Sequence, residues 1–314
     1  ERTPTFGSLP KVGPTHYVRE YWCLQYAGVV KNLQRSAILA RMALLTERIV
    51  LDRRAGADQQ GLGEDGTRHV LPDLAYKRVF VANVAFFGNP DGYESWVLVD
   101  SGVPGTLANL REAATRRFGG RAPSAIVLTH AHPDQIGCLA GLCDLWDVPV
   151  FAHPLEHPYV NGESTYPSPD PGAGGGLLSR ASLARQLRPL EANGRLHPLP
   201  EDGSIPFMPG WRWLHTPGHS AGHISLWRES DRSLIAGDAL LTTSQQSAYA
   251  VTCADFELSG PPRALTEDWP RALESLKLLA ALQPDLVLSS HGRALRGETM
   301  RKGLDRLVTT FRGE

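Results

Sequence analysis

The chain has 314 residues, with 33 acidic and 32 basic side chains and 42% apolar residues, which is enough chain for one large domain or two small ones. Its formal net charge of −1 provides no overall field that would attract nucleic acid or an anionic membrane, so we expect neither as a partner. No run approaches the roughly 18 consecutive apolar residues of a membrane span, so we expect a soluble protein.

The first 70 residues differ from the rest of the chain. Residues 29–51 contain no Gly or Pro, and apolar side chains recur there at the spacing of one helical face (Ile38, Met42, Leu45 and Ile49), which predicts a helix. Residues 55–66 are rich in Gly, Asp and Gln, which is typical of a flexible link. We therefore divide the chain into an N-terminal helical extension with its linker, residues 1–70, and a second domain, residues 71–314. The extension either packs on the domain surface or is an arm that pairs two subunits as a homodimer or covers the site.

From residue 76 onward, short β-rich runs alternate with helical segments, which predicts an α/β protein with mixed sheets. Strands are predicted at residues 78–87, 96–99, 125–128, 148–152, 211–214, 223–227, 233–235 and 286–288. Helices are predicted at residues 106–118, 267–282 and 298–311.

A long excursion, residues 154–209, separates the middle strands and contains the run PSPDPGAGGG. Loops of this length in a compact domain are usually functional covers or disordered segments. The aromatic residues Tyr159 and Tyr166 favour an ordered cover over a site. Both tyrosines are therefore candidate pocket residues, and simple packing is the alternative for each.

The strongest chemical signal is THAHPDQ, which directly follows the predicted strand 125–128. Its two imidazoles, His130 and His132, and the carboxylate of Asp134 can converge on one cation if the chain turns sharply at the strand end. Taken alone, the motif is equally compatible with polar residues on a surface turn.

Three later segments repeat this arrangement. In each of them a His or Asp lies where a predicted strand ends and a loop that contains glycine begins. They are HTPGHSAGH (215–223, with His219), AGDA (236–239, with Asp238) and SSHG (289–292, with His291). Strand ends are where an α/β scaffold places catalytic groups. Four unrelated surface turns would rarely share this pattern, so we predict one common site.

In their order and context these motifs resemble the metallo-β-lactamase superfamily, the hydrolase fold shared by glyoxalase II, the acyl-homoserine lactone lactonases and the zinc β-lactamases. The resemblance covers about residues 76–295 and implies a four-layer αββα sandwich. It implies a first metal site at His130, His132 and His219, and a second site at Asp134 and His291, with Asp238 bridging the two ions. Asp100 matches an early family aspartate that orients the site without binding metal.

The chain departs from the family pattern at Gln135, so that its motif is HxHxDQ. A neutral amide offers one weak oxygen donor where the family has an imidazole. Three outcomes are open: Gln135 binds metal through its oxygen, the second site fills only at high metal concentration, or one ion suffices. A site without catalysis is a further alternative.

The remaining histidines have a structural interpretation beside the functional one. His223 is interpreted as support for the site and not as a ligand. His153 ends a predicted strand beside the excursion, and either lines the pocket or is a hydrogen-bonded loop residue. Cys138 and Cys143 follow the first motif and are interpreted as core residues.

These observations predict a metal-dependent hydrolase in which a metal-bound hydroxide, oriented by Asp134, attacks the carbonyl of a small-molecule lactone, ester or thioester. Zinc is the expected ion, one or two per chain, with iron or manganese as alternatives. A second site weakened at Gln135 disfavours poor leaving groups such as amides. The alternatives are a β-lactam hydrolase, a mononuclear iron oxidoreductase of the persulfide type, and a catalytically silent binding protein.

The four cysteines are scattered and form no CxxC pair, which favours a reducing compartment over a disulfide framework. We therefore expect a cytoplasmic protein. Because the first residue is Glu1, a removed signal peptide remains an alternative.

Overall fold

The computed structural model describes residues 48–57, 61–92, 95–168, 190, 194–243 and 256–311. Most of the helix predicted at residues 29–51 lies outside these ranges. Its last residues are described and form a strand, β1 (Arg48–Val50), which pairs antiparallel with β12 (Glu257–Ser259). The helix prediction is wrong for these three residues, because pairing with β12 overrides the local helical spacing.

Part of the predicted linker is also joined to the domain. Ala55 is buried at 1% exposure, and the backbone of Gly56 forms an isolated bridge with Leu295. The division of the chain near residue 70 stays a prediction, because residues 1–47 lie outside the described ranges.

Within the described residues, seven strands form the first sheet. In spatial order they are β2 (Arg68–Leu71), β3 (Leu74–Val79), β4 (Ala82–Phe87), β5 (Val97–Val99), β6 (Ala125–Val127), β7 (Val150–Ala152) and β8 (Leu196–Pro198). The pairs from β2 to β5 are antiparallel, and the pairs from β5 to β8 are parallel. The single strand predicted at residues 78–87 is thus two strands, because the chain turns at Phe80, which has a left-handed φ of 59°.

The part of the chain that the structure describes contributes five strands to the second sheet. In spatial order they are β14 (Leu295–Arg296), β13 (Leu286–Ser289), β11 (Ser233–Gly237), β10 (Ile224–Arg228) and β9 (Trp211–His215). Only the pair β11–β13 is parallel.

The described helices are α1 (Leu107–Phe118), α2 (Pro133–Ile136), α3 (Leu139–Trp146), α4 (His157–Val160), α5 (Trp269–Ala281) and α6 (Glu298–Thr310). The predicted helices 106–118, 267–282 and 298–311 are confirmed as α1, α5 and α6 to within two residues at each end. No helix in the described ranges is both long enough and apolar enough to cross a bilayer.

Three buried apolar clusters define the layers. One lies between the sheets and joins side chains such as Phe87 of the first to Leu226 of the second. Another packs α1 and α3 on the outer face of the first sheet, and the last packs α5 and α6 on the outer face of the second. The predicted four-layer αββα sandwich is therefore confirmed.

Trp96 is a central contact of the outer cluster on the first sheet. Its side chain is 1% exposed, and its ring stacks on Phe118 at a centroid distance of 4.3 Å and meets Trp146 edge-on at 5.6 Å. Its indole Nε1–H donates a hydrogen bond to the Arg121 carbonyl at 3.0 Å. Trp96 therefore anchors α1 to the first sheet, whose strand β6 precedes the THAHPDQ motif.

We predict that Trp96→Ala lowers the free energy of unfolding by about 3–5 kcal/mol, because it opens a cavity in the buried cluster and removes the hydrogen bond to the Arg121 carbonyl. Urea denaturation followed by circular dichroism measures the change. Leu62→Ala is the control: its side chain is 60% exposed, so its effect should stay within about 0.5 kcal/mol. Equal effects of the two substitutions would contradict the packing argument.

Candidate metal centre

The predicted ligands follow the C-terminal ends of strands from both sheets. His130 and His132 come after β6, His219 after β9, Asp238 directly after β11 and His291 after β13. Because β5 and β6 are parallel, and β11 and β13 are parallel, the residues that follow each pair lie at one edge of their sheet.

Three histidines form a compact cluster at this edge. His130, His132 and His219 are buried, and each offers one ring nitrogen such that all three nitrogens lie within 4.8 Å of one another. His219 Nε2 is 2.8 Å from His132 Nδ1 and 3.2 Å from His130 Nε2. The sequence prediction that these side chains converge matches this geometry.

The cluster is held in the uncharged form. Burial lowers the pKa of all three imidazoles, and for His130 and His219 the pKa falls well below the usual 6.5 because neighbouring histidines add to the effect. Neutral imidazoles have a free lone pair, which is the form that binds a metal ion.

A second group of side chains adjoins the cluster through Asp238. One carboxylate oxygen of Asp238 is 3.3 Å from His219 Nε2, and the other is 3.5 Å from His291 Nε2. His291 Nε2 also lies 3.2 Å from an oxygen of Asp134. The two oxygens of Asp238 therefore face the two groups of predicted ligands.

The second group of side chains carries charge, whereas the histidine cluster is neutral. Burial alone would lower the pKa of His291, but the carboxylates of Asp238 and Asp134 raise it well above its usual value. Burial alone would likewise raise the pKa of Asp134, but the hydrogen bond to His291 lowers it. Without a metal ion, His291 is thus the cation that balances these acids.

Gln135 lies beside Asp134 on α2 and is fully buried. Among the residues that the structure describes, neither its amide oxygen nor its amide nitrogen finds a hydrogen-bond partner. A buried amide without a partner is costly, so the side chain is available to a ligand.

Asp100 acts on the cluster through Thr129, which sequence analysis did not single out. Thr129 donates to Asp100 from its backbone N–H at 2.8 Å and from its hydroxyl at 2.9 Å, and the hydroxyl is 3.1 Å from His130 Nδ1. Burial raises the pKa of Asp100 to about 8 against these hydrogen bonds. This chain of contacts fixes the orientation of the His130 ring.

His223 occupies a supporting position beneath Asp238. Its Nδ1 is 3.0 Å from the Thr216 carbonyl, and its Nε2 accepts a hydrogen bond from the Asp238 backbone N–H at 2.8 Å. The turn before Asp238 needs Gly237, which has a φ of 58° and where a Cβ would lie 2.3 Å from His223 Nε2.

The two candidate pocket tyrosines lie against the cluster. The Tyr166 ring is 4.0 Å from the His132 ring between centroids, and Tyr159 stacks on Tyr166 at 3.9 Å. His153 instead stacks on His215 at 4.5 Å, and neither belongs to the histidine cluster. Tyr166 therefore lines the site and Tyr159 lies behind it, and both also pack on the apolar cluster of the first sheet. His153 is a loop residue whose Nδ1 accepts from the Leu155 N–H.

Glu156 is a further candidate that the sequence did not reveal. It is a fully buried carboxylate in the 3₁₀ turn Pro154–Glu156 after β7. It accepts hydrogen bonds from backbone and side-chain groups next to the clustered histidines. The only signal in the sequence was an acidic residue shortly after a predicted strand, which is too common to identify a site.

The fold agrees with comparisons to known proteins. The family model of the metallo-beta-lactamase superfamily matches residues 78–291; the chain belongs to this superfamily, and it is a metal-dependent hydrolase by family. It is 40% identical over 231 residues to the probable metallo-hydrolase YflN of Bacillus subtilis (strain 168), covering 73% of this chain and 88% of that protein. It is 29% identical over 205 residues to the probable metallo-hydrolase YybB of the same organism, covering 65% and 79%.

Among solved structures, a beta-lactamase domain protein from Burkholderia ambifaria aligns with a TM-score of 0.56 and 23% identity, covering 79% of this chain and 76% of that one. A metallo-beta-lactamase family protein from Thermus thermophilus aligns with a TM-score of 0.51 and 22% identity, covering 77% and 80%. At these identities both support the fold alone.

The metal ions that the family implies fit the residues present. Three neutral imidazoles approach one another through ring nitrogens that cannot all donate protons to one another. Within the described residues, the oxygen of Asp238 that faces His291 has no hydrogen-bond partner. Nitrogen and carboxylate donors of this kind suit a divalent transition metal.

We predict that the metal-free protein loses stability as the pH falls, in part through His223. Burial lowers the pKa of His223 from 6.5 to about 4, so between these values the unfolded chain binds a proton that the native state does not. Lowering the pH from about 7.5 to about 5.5 should therefore cost about 1.4 kcal/mol through this group. In His223→Gln this contribution disappears. Urea titrations at the two pH values measure it, and an equal pH dependence in both proteins would contradict the assignment.

Proposed function

We propose that the protein hydrolyses a small-molecule ester, lactone or thioester with one or two zinc ions bound at this centre. The observation that supports this most directly is the buried, neutral cluster of His130, His132 and His219, which shares Asp238 with His291. Imidazole and carboxylate donors favour zinc, and iron or manganese are the alternatives. The four cysteines are scattered and form no CxxC pair, which supports a reducing compartment such as the cytoplasm.

Each residue has a distinct part in this proposal. His130, His132 and His219 would hold a first ion, and Asp134 and His291 a second, with the two oxygens of Asp238 directed to both. A divalent cation bound by such residues would lower the pKa of a coordinated water towards neutrality and would polarise a substrate carbonyl.

Side chains of the protein would orient the attacking water and shield the site from solvent. The pKa of Asp134 is lowered by its hydrogen bond to His291, so its carboxylate is ionised and can accept a hydrogen bond from an attacking water. Burial raises the pKa of Tyr166 well above its usual value, and Glu156 adds to this. The Tyr166 phenol thus stays protonated, and its ring shields one side of His132 from solvent.

Substrate preference follows from the second site. Gln135 offers one neutral oxygen where the family motif supplies an imidazole, so we infer a second ion held more weakly than the first. A weak second site gives little help to a departing amide nitrogen, whereas thiolates and the alkoxides of opened lactones leave more easily. Esters, lactones and thioesters are therefore preferred to β-lactams.

We predict that kcat/KM for a thioester or lactone exceeds that for a β-lactam of matched acyl group by at least about tenfold, which corresponds to about 1.4 kcal/mol of transition-state stabilisation. Steady-state assays on the purified, zinc-loaded protein measure the ratio, with His219→Ala as the inactive control. Equal turnover of a β-lactam and a matched thioester would overturn the preference.

We predict that Gln135→His raises bound zinc from about one to about two ions per chain, because an imidazole replaces the weak amide donor. Elemental analysis after dialysis against a fixed low zinc concentration measures the occupancy. Gln135→Asn, which keeps an amide, is the control and should stay near one. If the wild type already holds about two ions, Gln135 does not weaken the site.

Two measurements distinguish the alternatives from other classes. Bound iron together with oxygen uptake on a persulfide would favour the iron oxidoreductase, and zinc without oxygen uptake removes it. Absence of hydrolysis across esters, lactones and thioesters, with zinc or manganese added, would favour a catalytically silent binding protein.

A further inference from the structure

We propose that Glu156 is a positioning residue, whose buried carboxylate sets the spacing between the two loops that carry the clustered histidines and so sets their metal affinity. The inference rests on the proposed function in one respect, namely that the cluster binds a metal ion. It concerns a residue that contributes no ligand to the cluster.

The carboxylate joins three separate parts of the chain. Oε1 accepts hydrogen bonds from the Ser220 hydroxyl at 2.7 Å and from the Gly222 N–H at 2.9 Å. Oε2 accepts from the Ala131 N–H at 2.8 Å and from the Tyr166 hydroxyl. With 0% exposure, Glu156 has no water to replace these donors.

The positions of these donors relate them to the ligands. Ala131 lies between His130 and His132, and Ser220 directly follows His219. One loop follows β6 of the first sheet, and the other follows β9 of the second. A single side chain from a third loop therefore ties together the backbone segments that carry all three clustered histidines.

The fourth donor is the hydroxyl of Tyr166, whose ring packs on one of the clustered histidines. The Tyr166 phenol bonds to Glu156 and also lies 3.2 Å from the Ala131 N–H, while its ring contacts the ring of His132. Glu156 thus orients one ligand from two sides, through the backbone next to it and through the ring that packs on it.

The loop after His219 is shaped to receive this carboxylate. A Cβ at Gly222 would lie 2.7 Å from Glu156 Oε1 and 2.8 Å from its Cγ, distances that Cβ atoms do not tolerate. Only glycine at this position lets the backbone N–H approach the carboxylate.

The chemistry of the four contacts indicates the test. All four donors are neutral, and both oxygens of Glu156 act only as acceptors. Glu156→Gln keeps the size of the side chain but replaces one oxygen with an NH₂ group, which then faces an N–H or O–H donor. One of the two histidine loops must therefore move away, whichever way the amide is oriented.

The experiment measures zinc affinity of the full chain by competition with a chromophoric chelator, and records the visible spectrum of the cobalt-loaded protein. Glu156→Gln should weaken zinc binding by about 10–100-fold, the range found for groups that orient ligands, and should shift the cobalt bands. Tyr166→Phe and Ser220→Ala each remove one of the four donors, so each should produce a smaller loss.

Leu304→Ala is the matched control, because Leu304 is buried at 1% exposure in the cluster beneath α6. It should lower the unfolding temperature while leaving zinc affinity and the cobalt spectrum unchanged. If Glu156→Gln does not fold, the graded losses in Tyr166→Phe and Ser220→Ala decide the question.

Wild-type zinc affinity and an unchanged cobalt spectrum in Glu156→Gln, or in both single-donor variants, would overturn the inference alone. An equal loss of affinity in Leu304→Ala would also overturn it, because general destabilisation would then explain the effect. A wild-type protein that binds no divalent cation would instead overturn the proposed function.

Discussion

The site depends on one electrostatic constraint: several imidazoles are buried so close together that they cannot be protonated together. The cost of burying charge keeps the clustered histidines neutral, and their nitrogens approach one another without enough protons to satisfy them all. Such an arrangement persists only because the surrounding structure enforces it. The two packed sheets supply that enforcement by delivering the ligand segments from strand ends at one edge.

The residues that orient the predicted ligands lie on both sides of the centre. Thr129 and Asp100 orient His130 from the first sheet, whereas His223 supports the backbone of Asp238 in the second. The carboxylate of Asp238 then links the neutral cluster to the charged pair of His291 and Asp134. Hydrogen bonds therefore orient the neutral cluster, and the ion pair lies with the second group of ligands.

Much of the architecture was predictable because it follows from patterns among residues that are near one another in the sequence. Alternating β-rich and helical segments predicted the layered α/β fold, and His or Asp residues after strands predicted which segments meet. The prediction failed where distant parts of the chain decide the outcome. Arg48–Val50 carries a helical spacing but pairs with β12, and residues 78–87 form two strands because of a reversal at Phe80.

Contacts between distant residues also limited how much of the site could be predicted. His130, His132 and His219 lie in motifs whose spacing is informative, so their convergence was predictable. The importance of Glu156 depends on its approach to Ala131, Ser220 and Tyr166, which are between 10 and 64 positions away. No local pattern encodes such an approach. Gln135 was recognised as a departure from the motif, but only the folded chain shows that its amide is buried without a partner.

The close fit between Gly222 and Glu156 has a consequence for how this protein can change over evolutionary time. A larger residue at position 222 collides with the carboxylate, and a shorter one at position 156 leaves the Gly222 N–H and its neighbours without an acceptor. Each substitution is harmful alone, and a shorter residue at 156 relieves the collision caused by a larger one at 222. The two positions are therefore expected to vary together among relatives, as an epistatic pair.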